Sequence, residues 1–175
     1  MKAGLRYKLK IKRKYFQGVR RQVADENILF NFISAYGGYQ RFFIYNSFGD
    51  EATTSMIIDA LIKAGKEVYL PRVEGDDIVP VPYGPTIKGA FGIGEPVGQA
   101  YNGEIDITVI PLLAVNESGY RIGYGKGFYD RFLKGRKTRK VGLGYSFQIE
   151  NFIQDDWDEP LDEFLTEKGI YSFGK

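Results

Sequence analysis

The chain has 175 residues, enough for one domain with a proper core and short for two. It contains neither cysteine nor histidine, which excludes a disulfide framework, a thiolate nucleophile, the usual zinc sites and every histidine-based triad or general base. A net charge of +2 is too small to argue for nucleic acid, and any bound metal must sit on oxygen ligands, which favours Mg²⁺.

The opening stretch MKAGLRYKLKIKRKYF is strongly basic, and its bland reading is a solvated helix face. No apolar run follows it, so no signal peptide is expected, and no window reaches the apolar length of a membrane span. A cytoplasmic protein that meets no membrane is the expectation. The first 35 residues read as helix, with Val23, Ile28, Leu29, Phe32 and Ile33 in an apolar stripe that Gly37-Gly38 ends. RFFIYN (41–46) reads as a short buried strand. Asp50 is placed to cap a helix that carries Met56, Ile57, Ala60, Leu61 and Ala64 on one face. Gly65 stops that helix, with Lys63 in its last turn. EVYLP (67–71) is the next strand, and residues 72–100 read as short strands with a long functional loop around VPVPYGPTIKGAFGIGEP. EIDITVIPLLAV (104–115) is a strand leading into a glycine-rich stretch, and YDRFLK then begins a helix. KVGLGYSF (140–147) is a further strand, and DEFLTEKGIYSF closes the chain. Helices alternating with buried strands predict an α/β layered fold with a mainly parallel sheet. With no repeat, linker or low-complexity tract, residues 1–175 read as one domain.

The chemistry concentrates in RIGYGKGFYDR (121–131). The order strand, glycine loop, helix sets this loop where open α/β sheets bind ligands. Glycines let backbone N–H groups approach phosphate oxygens, and the following helix start adds positive potential. The spacing G-x-G-x-G matches neither the dinucleotide fingerprint nor the P-loop, so a phosphate cradle and a plain structural turn both stand at this point. Arg121 and Lys126 favour the cradle, because two cations beside a bare backbone repel each other unless an anion lies between them. Asp130 in isolation is a capping or solvated carboxylate; beside a phosphate it is a Mg²⁺ ligand. In DDWDEPLDEF, Asp155, Asp156, Asp158 and Asp162 are surface charges or a second source of metal ligand. Glu51 follows a strand end, where it either serves a helix start or touches a ligand.

Taken together, these blocks resemble the 5-formyltetrahydrofolate cyclo-ligase family. The likeness runs through KAGLR (2–6) with Arg13 beyond it, IYNSFGDEATTSMIIDALIKAGKEVYLPRV (44–73), FGIGEP (91–96), RIGYGKGFYDRFL, GYSFQ (144–148) and DEPLDEFLTE (158–167), in the family's order. The resemblance implies a Rossmann-like α/β fold, in which a mainly parallel central sheet is flanked by helices. It implies a reaction using ATP and Mg²⁺ that turns 5-formyltetrahydrofolate, with or without a polyglutamate tail, into 5,10-methenyltetrahydrofolate, releasing ADP and phosphate. Phosphoryl transfer needs positioning and charge neutralisation more than a protein nucleophile, so a chain without His or Cys suits it. Carried over by position, Lys2, Arg6, Arg121, Gly123, Tyr124, Gly125, Lys126, Gly127, Phe128 and Tyr129 are implied to bind ATP, with Lys126 and Arg121 catalytic. Asn46, Glu51, Tyr83, Phe91, Tyr124, Lys126 and Phe128 are implied to contact the folate, and Asp130 and Asp158 the metal. One departure is Trp157, where the family often carries a histidine. A monomer is expected. The alternatives are another ATP-using or phosphate-binding α/β protein, or a non-catalytic folate- or RNA-binding protein; against RNA, the basic run lacks the interleaved aromatics of known modules.

Overall fold

A computed structural model describes residues 2–89, 92–155 and 158–174, and of residue 2 the backbone alone. The N-terminal region is two helices, α1 (Lys2–Lys14) and α2 (Val19–Tyr36), where a single one was expected. Gly18 separates them with φ 75° and ψ −147°, a conformation that costs glycine little and would cost a side-chain-bearing residue much. α2 turns Ala24, Ile28, Phe32 and Tyr36 inward, whereas Val23 and Ile33 of the expected stripe face solvent.

The strands are β1 (Arg41–Ile44), β2 (Glu67–Glu74), β3 (Asp77–Pro82), β4 (Thr86–Lys88), β5 (Gly94–Pro96), β6 (Ile107–Pro111), β7 (Ala114–Val115), β8 (Arg121–Ile122), β9 (Arg139–Leu143), β10 (Glu163–Thr166) and β11 (Gly169–Ser172). Two more helices, α3 (Ser55–Lys63) and α4 (Phe128–Leu133), complete the described elements together with a 3₁₀ turn at Ser146–Gln148. Seven strands form one sheet in the order β11-β10-β9-β6-β1-β2-β3. The five inner strands run parallel, and β3 and β11 close the edges antiparallel. This is the expected α/β layering with a mostly parallel sheet. The chain between β1 and β2 forms α3, and Gly65 ends that crossover at φ 77°.

Period-two alternation divides the core between the two faces of the sheet. Phe42, Ile44, Val68, Leu70, Ile107, Val109, Val141 and Leu143 pack with α2 and α3. Phe43, Tyr69, Ile110, Phe132, Leu133 and Phe164 pack on the other side, with α4. Both faces are covered, so Phe42–Ile44 of β1 and all of β6, including the polar Thr108, are buried. A third, smaller cluster joins Leu9 of α1 to Leu113, Ala114 and Ile122 of the β7–β8 hairpin. No helix of the described residues is long and apolar enough to cross a membrane.

Candidate active site

Chain order reverses between β1 and β6, the neighbouring strands from which the sheet grows in opposite directions. Side chains beyond the carboxyl ends of such a pair face a crevice that the connections cannot fill. Here the crevice is a cavity of about 670 Å³, walled by Tyr45 and Asn46 after β1, Pro111 at the end of β6, α1 and the glycine-rich loop.

α1 brings cations to this wall at helical spacing. Arg6 Nε donates to the Gly123 carbonyl at 3.0 Å, and Lys10 lies over the Tyr124 ring at 5.9 Å. Arg13, only 5% exposed, ties four segments together. It meets Asp50 Oδ1 through Nε (3.0 Å) and Nη2 (2.9 Å), and donates from Nη1 to the Leu112 carbonyl (3.3 Å) and the Tyr124 hydroxyl (2.9 Å). Asp50 is therefore the partner of Arg13 and not the cap of α3. That cap is Thr54, whose buried hydroxyl donates instead to the Tyr45 carbonyl at 2.8 Å. Lys2 opens α1, and its side chain lies outside the described residues.

The glycine loop forms the opposite wall. Gly125 and Gly127 have φ of 91° and 71°, and Gly127 leads directly into α4. Gly123 needs its bare Cα for space: a Cβ there would lie 2.5 Å from Arg121 Nη1. Arg121 runs beneath the loop with its side chain 7% exposed, Nη2 3.4 Å from Asp130 Oδ1 and the guanidinium over the Tyr129 ring at 5.7 Å. Its buried Nε has no hydrogen-bond partner among the described residues. Burial pulls this guanidinium below its ordinary pKa, while Asp130, Tyr129 and Asp158 hold it up. Burial likewise pushes the Tyr129 phenol well above its usual value. Lys126 and Phe128 also line the cavity. Asp130 Oδ1 accepts a further bond from the Glu159 N–H at 3.2 Å, which draws the C-terminal acidic segment to the same corner. Within that segment the Asp155 N–H donates to Asp158 Oδ2 at 2.9 Å, and Asp155, Asp158 and Asp130 all face the cavity. No group of three or more carboxylates converges as a metal cage among the described residues.

Glu51 faces the loop across the cavity. Its Oε1 accepts from the Phe48 N–H at 2.7 Å and its Oε2 from the Tyr124 hydroxyl at 2.9 Å. Burial raises its pKa, opposed by those two bonds and by Arg13. Burial beside Glu51 pushes the Tyr124 phenol well up. Asn46 Nδ2 reaches the Gly94 carbonyl at 3.5 Å, so β5 lies against the end of β1. Glu95 of β5 joins the wall while its Oε2 accepts from the Val73 N–H at 2.8 Å. Tyr83, just past β3, is 48% exposed and stands away from the wall. Phe91, Asp156 and Trp157 lie outside the described residues. The structure thus gathers Arg6, Arg121, Tyr124, Lys126, Phe128, Tyr129, Asp130, Asp158, Asn46 and Glu51 around one cavity. It adds Lys10, Arg13, Asp50 and Glu95, which the sequence reading did not place in the site.

The chain is similar to known proteins both in sequence and in fold. Residues 1–167 match the model of the 5-formyltetrahydrofolate cyclo-ligase family. A 5-formyltetrahydrofolate cyclo-ligase of Haemophilus influenzae is 35% identical over 137 residues, covering 70% of this chain and 73% of the relative. That of Escherichia coli K12 is 31% identical over 144 residues, covering 74% and 79% respectively. The solved 5,10-methenyltetrahydrofolate synthetase of Aquifex aeolicus superimposes with a TM-score of 0.89 at 35% identity, over 99% of this chain and 93% of that one. That of Mycoplasma pneumoniae gives 0.78 at 25% identity, over 95% and 98%. A chain that matches the family over residues 1–167 and a solved synthetase over 99% of its length, with charged residues lining the cavity at the switch point of its sheet, belongs to the 5-formyltetrahydrofolate cyclo-ligase family of enzymes.

Proposed function

We propose that this cavity binds ATP and 5-formyltetrahydrofolate side by side and makes 5,10-methenyltetrahydrofolate, ADP and phosphate. The observation that carries the reading is Arg121: a cation buried beneath a glycine loop, 3.4 Å from Asp130, whose Nε has no hydrogen-bond partner among the described residues. Burying a cation so incompletely paired is costly, and an anion at the loop would offset the cost. A nucleotide's terminal phosphates have the right charge, and the glycine backbone together with Arg6 and Lys126 supplies further donors. Asp130 and Asp158 suit Mg²⁺, which is commonly held by one or two carboxylates and the substrate's own phosphates. When bound, the ion would neutralise phosphate charge.

Glu51, opposite the loop, has acceptor oxygens suited to the N–H donors of a pterin, with Asn46 beside it. The formyl oxygen on N5 then attacks the terminal phosphorus, the bond to the bridging oxygen breaks and ADP leaves. N10 attacks the activated formyl carbon and loses its proton, and phosphate departs as the ring closes. Lys126 and Arg121 stabilise the transferring phosphoryl group. The remaining work is holding the reacting atoms together, which can account for many orders of magnitude in rate. Residues 1–175 act as one domain and as a monomer in this reading.

The test is near-ultraviolet absorbance of the methenyl product from 5-formyltetrahydrofolate. It should appear only with both ATP and Mg²⁺ present; product formed without nucleotide would end the proposal. Lys126→Ala should lower kcat by about a hundredfold or more, the usual cost of removing one donor to a developing charge. Unchanged turnover would take the lysine out of the reaction.

A further inference from the structure

We propose that Arg21, in α2 and outside the cavity wall, is a positioning residue that sets where the Glu51 carboxylate stands. The inference rests on the reading of Glu51 as the folate-contacting group. The segment carrying Glu51 runs from the end of β1 to α3 without regular structure, and Gly49 within it has φ 61°. Its internal bonds tie Glu51 to Phe48 twice, backbone N–H to carbonyl at 3.2 Å and Phe48 N–H to Oε1 at 2.7 Å, and join its ends through the Ser47–Thr54 pair at 3.0 Å each, Thr54 Oγ1 to the Tyr45 carbonyl and the Tyr45 hydroxyl to the Ala52 carbonyl at 2.8 Å each. These bonds give the segment its local shape, but where that shape stands relative to the rest of the site depends on anchors outside it.

Arg13 anchors the segment to α1 through Asp50, and Arg21 anchors its backbone to α2. Arg21 Nη2 donates to two carbonyls of the loop, those of Gly49 and Glu51, at 2.9 Å each. These bonds fix the peptide planes on either side of Asp50 and Glu51. The guanidinium is itself held on its other edges, by Gln17 Oε1 at 2.9 Å from Nη1 and by the Tyr145 hydroxyl at 3.2 Å from Nε. Behind it stands Asp25, 8% exposed, with Oδ2 3.8 Å from Arg21 Nε. Asp25 accepts from the fully buried Tyr145 hydroxyl at 2.7 Å and from Thr53 Oγ1 at 2.8 Å, which fastens the far end of the same loop. The loop is thus clamped to α2 at three points, and Tyr145, just past β9, braces the two α2 side chains that hold it. The planar fork of an arginine reaches two carbonyls and a hydroxyl at once; a lysine ammonium cannot reproduce that geometry.

Arg21 touches neither the nucleotide loop nor the acidic corner, so its loss should be felt on one substrate. Arg21→Lys should raise the KM for 5-formyltetrahydrofolate by about tenfold while leaving the KM for ATP within about twofold. Combined with Glu51→Gln, the further rise in folate KM should vanish, because a residue acting through Glu51 has nothing left to act on. Tyr145→Phe removes the hydroxyl that holds Arg21 Nε and keeps the ring; it should shift folate KM in the same direction and carries the same cycle if Arg21→Lys does not fold. Equal rises in both KM values, or a full Arg21 effect persisting in the Glu51→Gln background, would make the clamp merely structural. If Glu51→Gln raises folate KM and neither clamp variant does, this inference alone falls. If Glu51→Gln leaves folate KM unchanged, the reading of Glu51 falls with it.

Discussion

At Glu51 burial and hydrogen bonding pull in opposite directions. Burial raises its pKa; the Phe48 N–H, the Tyr124 hydroxyl and Arg13 restrain the rise without cancelling it. A carboxyl whose pKa is raised in the folded state favours folding while protonated, and that contribution is lost as pH climbs through the raised value. At neutral pH the ionised Glu51 therefore costs stability, as groups poised for ligand commonly do. Glu51→Gln should raise Tm at pH 7, and the gain should shrink as the buffer is brought down into the carboxylate range. A constant difference between pH 7 and pH 4 would contradict this account. Folate affinity should move the other way, falling about tenfold or more at pH 7 with loss of a charge-assisted bond. Its strand-end position in an α/β pattern left the role of Glu51 open, and the family resemblance singled it out. Its surroundings were not legible: Tyr124 is 73 positions from Glu51, and Arg13 is 111 positions from the Tyr124 it touches. No local periodicity records a contact of that kind, and Arg13 looked like one more cation in a basic run.

The glycine loop was legible as an element, since a strand, three spaced glycines and a helix can be read in line. Which glycine does which task was not, because tasks depend on neighbours in space. Gly125 and Gly127 need their positive φ, but Gly123 needs room over the buried Arg121 guanidinium. Gly123→Ala should therefore drive Arg121 off Asp130, with an overpacking cost of about 1–3 kcal/mol. Both Tm and kcat should fall. Gly135 also has a positive φ (74°), yet open space surrounds its Cα, so Gly135→Ala should cost backbone strain and spare kcat. Equal kcat losses in the two variants would mean that the Arg121 contact has no part in the reaction. Elsewhere, local signals misjudged elements where one residue's conformation decides. Gly18 interrupts what composition reads as continuous helix, because the basic and apolar residues on both sides are good helix formers. The edge strands β3 and β11 were blurred for a different reason. Each is covered less than the inner strands, and β3 carries prolines, so neither shows the mostly apolar run that marked β1 and β6.

For the whole molecule, alternation along the strands tells which side chains share a face but not which strands lie side by side. The order β9-β6-β1-β2, and with it the position of the cavity, is set by how the connections between parallel strands cross the sheet. One consequence concerns α1. The inner sheet is locked by two large clusters on its opposite faces, built from residues such as Phe32, Phe42, Ile107 and Phe164 that are wholly buried. α1 is joined through a much smaller one, chiefly Leu9 against Leu113, Ala114 and Ile122, and it leaves Tyr7 70% exposed. Its other ties among the described residues include the polar bonds of Arg6, Lys12 and Arg13 and the Lys10–Tyr124 contact. Segments with few buried apolar contacts open at lower free energy than the core. In the free protein, α1 amides should therefore exchange with deuterium markedly faster than those of β6. A nucleotide that bridges Arg6 and the glycine loop binds only when α1 is docked, so it should slow α1 exchange, by up to about a hundredfold at a hundred times its Kd. Protection of α1 equal to that of β6 without ligand, or exchange in α1 indifferent to ATP, would show that the helix is fixed by the fold and takes no part in closing over the nucleotide.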